Sequence, residues 1–303
     1  MGQYVVVGID GSDSSLQAVR WAADEARRRG VGLRLLHAVE LPASYSPRII
    51  EWNVLHSAMT DRGHEWLAKA QAEARAEATG VDVETVLTEA DSAVPALVKE
   101  SNDAALVVLG SRGLGGFSGL LIGSTAVGLA GRSRCPVIVV RGTPSAGPVL
   151  VGVDGTPAGE GAIAFAFAQA SALGADLVAV HAWSDLVIDA ALMTGAGAID
   201  FGPLEQRSAE LLAERLAGWP ERYPDVHVTR DVVRDRPAKA LLRRAAQARL
   251  VVVGSRGRGG FRGLLLGSTS QHLLYHAACP VAVVRTDPES ASAAGTETAA
   301  SPG

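Results

Sequence analysis

The chain has 303 residues, with 28 Lys and Arg against 32 Asp and Glu, and a formal net charge of −4. That length makes about two domains, and a balance this close to neutral argues against a nucleic-acid binder that works by broad phosphate neutralisation. Two cysteines argue against a disulfide scaffold, and no run of about 18 apolar residues offers a membrane span.

Val5-Val6-Val7 reads as a buried parallel strand that runs into Gly8. Ile9-Asp10-Gly11-Ser12 follows, with Ser12 placed as the N-cap of a helix. Leu16, Val19, Ala22, Ala23 and Ala26 mark the apolar face of that helix, and Gly30 its end. A second strand covers 33–39, and a long loop runs from about 41 to 55. An Ala/Glu-rich helix then extends to near Gly80, a third strand covers 81–88, and a short helix 94–99. Leu106-Val107-Val108-Leu109 forms a fourth strand that runs straight into Gly110. A helix over about 123–132 and a fifth strand over 137–140 complete the unit.

The Gly- and Pro-containing stretch 142–147 reads as a linker, and the same order of elements returns over 148–285. The tail 286–303 is Ala, Ser, Thr, Glu and Gly without periodicity, so disorder is expected there. The division is therefore a first domain over 1–141, a linker, a second domain over 148–285 and a tail. A strand begins within four residues of the start, with no charged leader before an apolar run. No secretory signal is expected, and the cytoplasm is the expected compartment. Each cysteine precedes a proline at the start of a fifth strand and reads as a small buried residue.

The two halves are copies of one unit. Gly110-Ser111-Arg112-Gly113, nine residues, then Gly123-Ser124-Thr125 is matched by Gly254-Ser255-Arg256-Gly257, nine residues, then Gly267-Ser268-Thr269. The offset is 144 throughout, and it also relates Asp10 to Asp154, His37 to His181 and Cys135 to Cys279. Alternating strands and helices imply a parallel sheet with helices on both faces. In such sheets a ligand sits beyond the carboxyl ends of the strands, where the strand order reverses. If strands one and four are neighbours, Asp10, Ala38 and the glycine loop meet in one crevice.

Glycines at 110 and 113 can take positive φ and let the backbone approach a ligand. Successive N–H groups can then hold an anion. The helix opened by Gly123-Ser124-Thr125 offers free N–H groups, a positive dipole end and two hydroxyls. Arg112 and Arg256 supply compensating charge. The bland alternatives are a tight turn for the glycines and an ordinary cap for Ser-Thr. Asp10 and Asp154 likewise fit two roles, capping the next turn or contacting a ribose or base. No Gly-Lys-Ser/Thr follows, so this is not a Walker A loop.

The layout Gly-x2-Gly-x9-Gly-Ser/Thr after a strand, in a unit that begins Val-Gly-Ile-Asp-Gly, closely resembles the universal stress protein family, in its tandem-domain, ATP-binding branch. The resemblance spans both repeats and excludes the tail. It implies two doubly wound, five-stranded parallel sheets of order 3-2-1-4-5, with an adenine nucleotide at each switch point. Carried over, Gly110, Gly113, Gly123, Ser124 and Thr125 hold phosphates and ribose, while Asp10 and the backbone of Ala38 meet the adenosine end. Gly8, Ser111, Arg112, Gly115 and Gly116 complete the first candidate site. The second comprises Gly152, Asp154, Ala182, Gly254, Ser255, Arg256, Gly257, Gly259, Gly260, Gly267, Ser268 and Thr269.

The loops differ: Arg258 and Arg262 replace Leu114 and Ser118, so tighter triphosphate binding is expected at the second site. Asp185 is placed to approach that ligand or a neighbouring subunit. His272 and His276 lie four apart on one helix, but no His-Glu-x-x-His pattern surrounds them, and packing or surface roles are expected. His37 and His181 are expected to make structural hydrogen bonds near the nucleotide's edge. No general base with a matched partner stands near the loop, so binding of ATP with slow or absent hydrolysis is expected. Mg²⁺ would ride on the phosphates.

Two functions follow: a nucleotide-dependent regulator of stress response and growth with a protein partner, or a slow ATP hydrolase or adenylate-transferring enzyme. The transferase signatures His-x-Gly-His and Ser-Gly-Gly-x-Asp-Ser are missing from the sequence. The uncharged fifth strands read as sheet edges that seek partners, so packing of the repeats and a homodimer are expected.

Overall fold

The computed structural model describes residues 4–40, 52–113, 122–142, 145–183, 200–257 and 265–285. It divides into two compact units, Met1–Arg141 and Gly142–Gly303. In the first, the order is β1 (Tyr4–Gly8), α1 (Asp13–Arg29), β2 (Gly32–Glu40), α2 (Trp52–Glu77), β3 (Val83–Ala90), α3 (Ala93–Glu100), β4 (Leu106–Gly110), α4 (Ser124–Ala130) and β5 (Val137–Val140). The second has β6 (Val149–Gly152), a 3₁₀ turn at Pro157–Gly159, α5 (Glu160–Leu173), β7 (Leu177–Ala182), α6 (Gly202–Leu216), α7 (Trp219–Arg222), β8 (Val228–Val233), α8 (Pro237–Ala245), β9 (Leu250–Gly254), α9 (Ser268–His276) and β10 (Val281–Val284).

All pairings within each unit are parallel. Val5 lies opposite Leu33 and Leu106, Leu33 opposite Val83, and Val107 opposite Val137. The order is β3-β2-β1-β4-β5. The second unit repeats it as β8-β7-β6-β9-β10, with Val149 opposite Leu177 and Leu250, Leu177 opposite Val228, and Val251 opposite Val281. The expected 3-2-1-4-5 order is present in both. It follows from sequence chemistry. Val5, Val6, Val7, Val107 and Val108 are fully buried, as strands covered on both faces require.

Helix α1 shows why these residues form a helix. Ser12 Oγ accepts from the Ser15 N–H at 3.1 Å, and the helix stops at Gly30 in the left-handed region. Its buried stripe contains Leu16, Val19, Ala22, Ala23 and Ala26. Arg28 and Arg29 both reach Glu25, which is only 1% exposed.

Three local readings change. The third strand begins at Val83, two residues later than expected, and α4 is shorter at both ends. The Gly-rich stretch after β5 is anchored where it is described. Gly142 has φ 67° and its α-carbon faces the Ala278 carbonyl so closely that a Cβ would overlap it. Gly147 is set in the same way against the Gln247 carbonyl. How closely backbone packs against these two glycines is what composition could not reveal here. The expected tail lies outside the described residues, as does most of the long loop 41–55. Among the described residues no helix is long and apolar enough to cross a membrane. Both cysteines are buried, and neither forms a disulfide.

Candidate functional site

β1 and β4 are neighbours, so the turn after β1 and the loop after β4 leave the sheet side by side. This is the switch point, because β2 and β5 lie on opposite sides of that pair. Asp10 stands here. Its Oδ1 accepts from the Ser12 N–H at 3.0 Å and the Ser12 hydroxyl at 2.6 Å. Its Oδ2 faces Gly113, so closely that a Cβ on Gly113 would overlap it. The second unit repeats the arrangement. Asp154 Oδ1 accepts from the Thr156 N–H at 2.9 Å and hydroxyl at 2.8 Å, and Oδ2 lies 3.1 Å from where a Gly257 Cβ would be. The capping role read for each carboxylate is present. One oxygen caps the turn, and the other confronts the glycine loop without a partner among the described residues.

The far end of each loop is tied back to its start. Gly123 N–H donates to the Ser111 carbonyl at 2.9 Å, and Gly267 N–H to that of Ser255 at 2.8 Å. Gly123 and Gly267 are extended N-caps with no side-chain hydrogen bond to the helix. The first N–H groups of α4 and α9 have no acceptor within their helix. Ser124 and Ser268 are exposed and Thr125 and Thr269 half-buried at these starts. Arg112 and Arg256 are exposed and make no ion pair among the described residues.

The glycines have reasons other than the one expected. Neither Gly110, Gly113, Gly254 nor Gly257 has positive φ; that conformation falls on Gly11 and Gly155, at 82° and 80°, directly after the aspartates. Gly110 is needed for space, since a Cβ would sit 2.6 Å from the Ser14 backbone carbon. Gly113 is needed for space beside Asp10. Gly8 and Gly152 serve packing: a Cβ on Gly8 would sit 2.6 Å from Leu109 Cδ2, and one on Gly152 2.9 Å from Leu241 Cδ1. The space beside Gly123 is open.

Ala38 and Ala182 lie near the carboxyl ends of β2 and β7, two residues beyond the register partners of Gly8 and Gly152. His37 and His181 make the structural bond expected of them, Nδ1 to the carbonyls of Ile9 and Val153, each at 2.7 Å. His272 Nδ1 lies 3.0 Å from the Ser268 carbonyl in its own helix. Gly115, Gly116, Gly259, Gly260, Leu114, Ser118, Arg258, Arg262 and Asp185 lie outside the described residues.

Two contacts were not read from the sequence. Trp66 of α2 lies over Gly11 and meets the His37 ring edge-on at 5.1 Å. Ser14 Oγ accepts from the Arg112 N–H at 3.3 Å. Its counterpart in the repeat is Ala158. Its neighbours differ at the same offset, Asp13 from Pro157 and Ser15 from Gly159, so no signal in the sequence singles out Ser14.

The family model for the universal stress protein family matches residues 1–141 and 146–285. Universal stress protein Rv2623 of Mycobacterium tuberculosis is 43% identical over 298 residues, which cover 93% of this chain and 96% of the relative. Universal stress protein Rv2005c of the same organism is 44% identical over 293 residues, with the same shares. A crystal structure of a universal stress protein from Archaeoglobus fulgidus matches with a TM-score of 0.66 at 21% identity, covering 94% of this chain and 99% of that one. That last likeness is one of fold.

Proposed function

The chain belongs to the universal stress protein family, and from that premise we propose that each unit binds an adenine nucleotide, ATP, as a regulator of stress response and growth rather than as an efficient catalyst. The observation that carries the reading is the polarity of the crevice. At one side stands a carboxylate oxygen without a partner among the described residues, an acceptor suited to ribose hydroxyls and hostile to phosphate. At the other stand a helix N-terminus without a side-chain cap and an arginine with no ion pair among the described residues, both suited to phosphate. A nucleotide is a ligand with that same polarity, so its sugar goes to Asp10 or Asp154 and its phosphates to the loop.

Residues of the first site in this reading are Asp10, Ala38, Gly110, Arg112, Gly113, Gly123, Ser124 and Thr125, with their partners 144 residues on in the second. ATP brings its own Mg²⁺, held by phosphates and water. Occupancy biases a surface that meets a regulatory protein, in a chain that works as a homodimer. Mass spectrometry of small molecules released from freshly purified, denatured protein, followed by calorimetry of the stripped protein, tests the proposal. An adenine nucleotide in the released fraction and two binding events are expected. No measurable affinity for ATP, ADP, AMP or a cyclic form would overturn it. Light scattering tests the homodimer, which a strict monomer refutes.

A further inference from the structure

Helix α9 carries two histidines on one exposed face. His272 and His276 are four residues apart, in successive turns, and both are exposed. Their ring centroids lie 6.1 Å apart and the ring planes meet at 43°. His272 is already arranged as a ligand. Its Nδ1 lies 3.0 Å from the Ser268 carbonyl one turn back, and a carbonyl only accepts, so Nδ1 carries the proton and donates it. In the neutral ring that leaves the lone pair on Nε2. A bond from the other ring nitrogen to a backbone carbonyl is also how metal-bound imidazoles are commonly held. His276 has ring contacts but no hydrogen bond among the described residues. It is the last residue of the helix, where the carbonyl end of the dipole favours a cation. At the same offset the first unit has Gly128 and Arg132, so the pair belongs to the second unit alone.

We propose that His272 and His276 together form an exchangeable site for a divalent late transition-metal ion such as Zn²⁺. Two imidazole nitrogens on one tetrahedral Zn²⁺, each at about 2.0–2.1 Å, place the ring centroids about 5 Å apart. The two rings must therefore close by about 1 Å, which exposed side chains achieve by small rotations within their rotamer wells. Among the described residues no group of three or more His, Cys, Asp or Glu is placed to share an ion. Water fills the remaining positions, which makes the ion exchangeable rather than structural. In the unfolded chain nothing holds the two rings together, so the ion binds the folded chain better and stabilises it. The site lies at the opposite end of α9 from the candidate phosphate-binding N–H groups and stands independently of the nucleotide reading.

The test uses the untagged, nucleotide-free full chain, with Zn²⁺ as the probe. Calorimetry is expected to show a binding event in wild type that is at least about tenfold weaker in His272→Gln and in His276→Gln, since even losing a group behind a metal ligand costs about 10–100-fold. Both substitutions fall on exposed positions, and circular dichroism checks the fold. A second measurement needs no variant. Diethyl pyrocarbonate modification, mapped by peptide mass spectrometry, is expected to be suppressed by Zn²⁺ at both His272 and His276 and unchanged at the exposed His227. The urea midpoint is expected to rise with Zn²⁺ in wild type and in neither variant. Absence of protection at the two histidines overturns the proposal. So does a variant that binds Zn²⁺ like wild type, which would mean an ion on a single imidazole or held elsewhere.

Discussion

Replacing Gly113 with Ala tests a position where the two copies differ in the room they leave. A Cβ there overlaps Asp10 Oδ2, and the carboxylate is not free to swing away, because Ser12 holds Oδ1 through its N–H at 3.0 Å and its hydroxyl at 2.6 Å. Either those bonds to a charged group are given up or the loop retreats from the crevice. Bonds of this kind are worth about 1.5–3 kcal/mol each, so the lower figure sets a loss of about tenfold in affinity. Gly257→Ala places its Cβ 3.1 Å from Asp154 Oδ2, a contact relieved by a few tenths of an ångström. Its expected effect is below about 0.5 kcal/mol, roughly twofold. The entropy that Gly→Ala removes from the unfolded chain is common to both and cancels in the comparison. Calorimetry of the full chain with ATP is expected to show one weakened site in the first variant and two near-normal sites in the second. Equal losses, or a larger loss in Gly257→Ala, would refute the argument from crowding.

Gly147→Ala drives a Cβ onto the Gln247 carbonyl, which as backbone cannot step aside, and is expected to cost about 1–3 kcal/mol in urea unfolding; a neutral result would mean the stretch is a loose spacer after all. Gly11→Ala meets both a positive φ and the Trp66 ring, and a loss of similar size, with a shift in tryptophan emission, is expected. Burial pushes the Cys135 thiol up, with bonds around Ser133 opposing only in part. The folded state therefore keeps this proton more tightly than the unfolded one. Its contribution to stability is full below the thiol's ordinary value of about 8.5 and declines above it. Cys135→Ala should flatten that alkaline decline, which urea midpoints between pH 7 and 10 would reveal.

Much of the fold was legible because valine runs leave little choice. A segment such as Leu106-Val107-Val108-Leu109 is covered on both faces or it is not stable, and the switch point follows from the order of such segments. The glycine loop was legible as a motif, but the reason for each glycine was not. The freedom to take positive φ was noted at Gly110 and Gly113, whereas the structure uses it at Gly11 and Gly155 and uses room at Gly110 and Gly113. Room is a property of what packs opposite, and Ser14 and Asp10 lie about a hundred residues away in the chain. The same holds for Gly142 and Gly147 in the linker. Composition speaks of freedom, while the carbonyls of Ala278 and Gln247 remove it.

The double duty of Asp10 can be separated by a substitution that spares one role. In Asp10→Asn the amide oxygen turns to the Ser12 N–H and hydroxyl, so the turn keeps its cap. The amide nitrogen then occupies the position of Oδ2, facing Gly113, and the crevice exchanges an anionic acceptor for a donor. If the aspartate were a cap alone, nucleotide affinity would be untouched. If Oδ2 receives a ribose hydroxyl, a charge-assisted bond of about 1.5–3 kcal/mol is lost, and affinity at the first site falls at least about tenfold while the urea midpoint hardly moves. Asp10→Ala loses both, so its stability falls as well, by roughly 1 kcal/mol as for other caps. Calorimetry and urea unfolding on the two variants form a matched set. An Asn variant that binds ATP like wild type would remove the sugar from Asp10 and with it the polarity on which the functional reading stands.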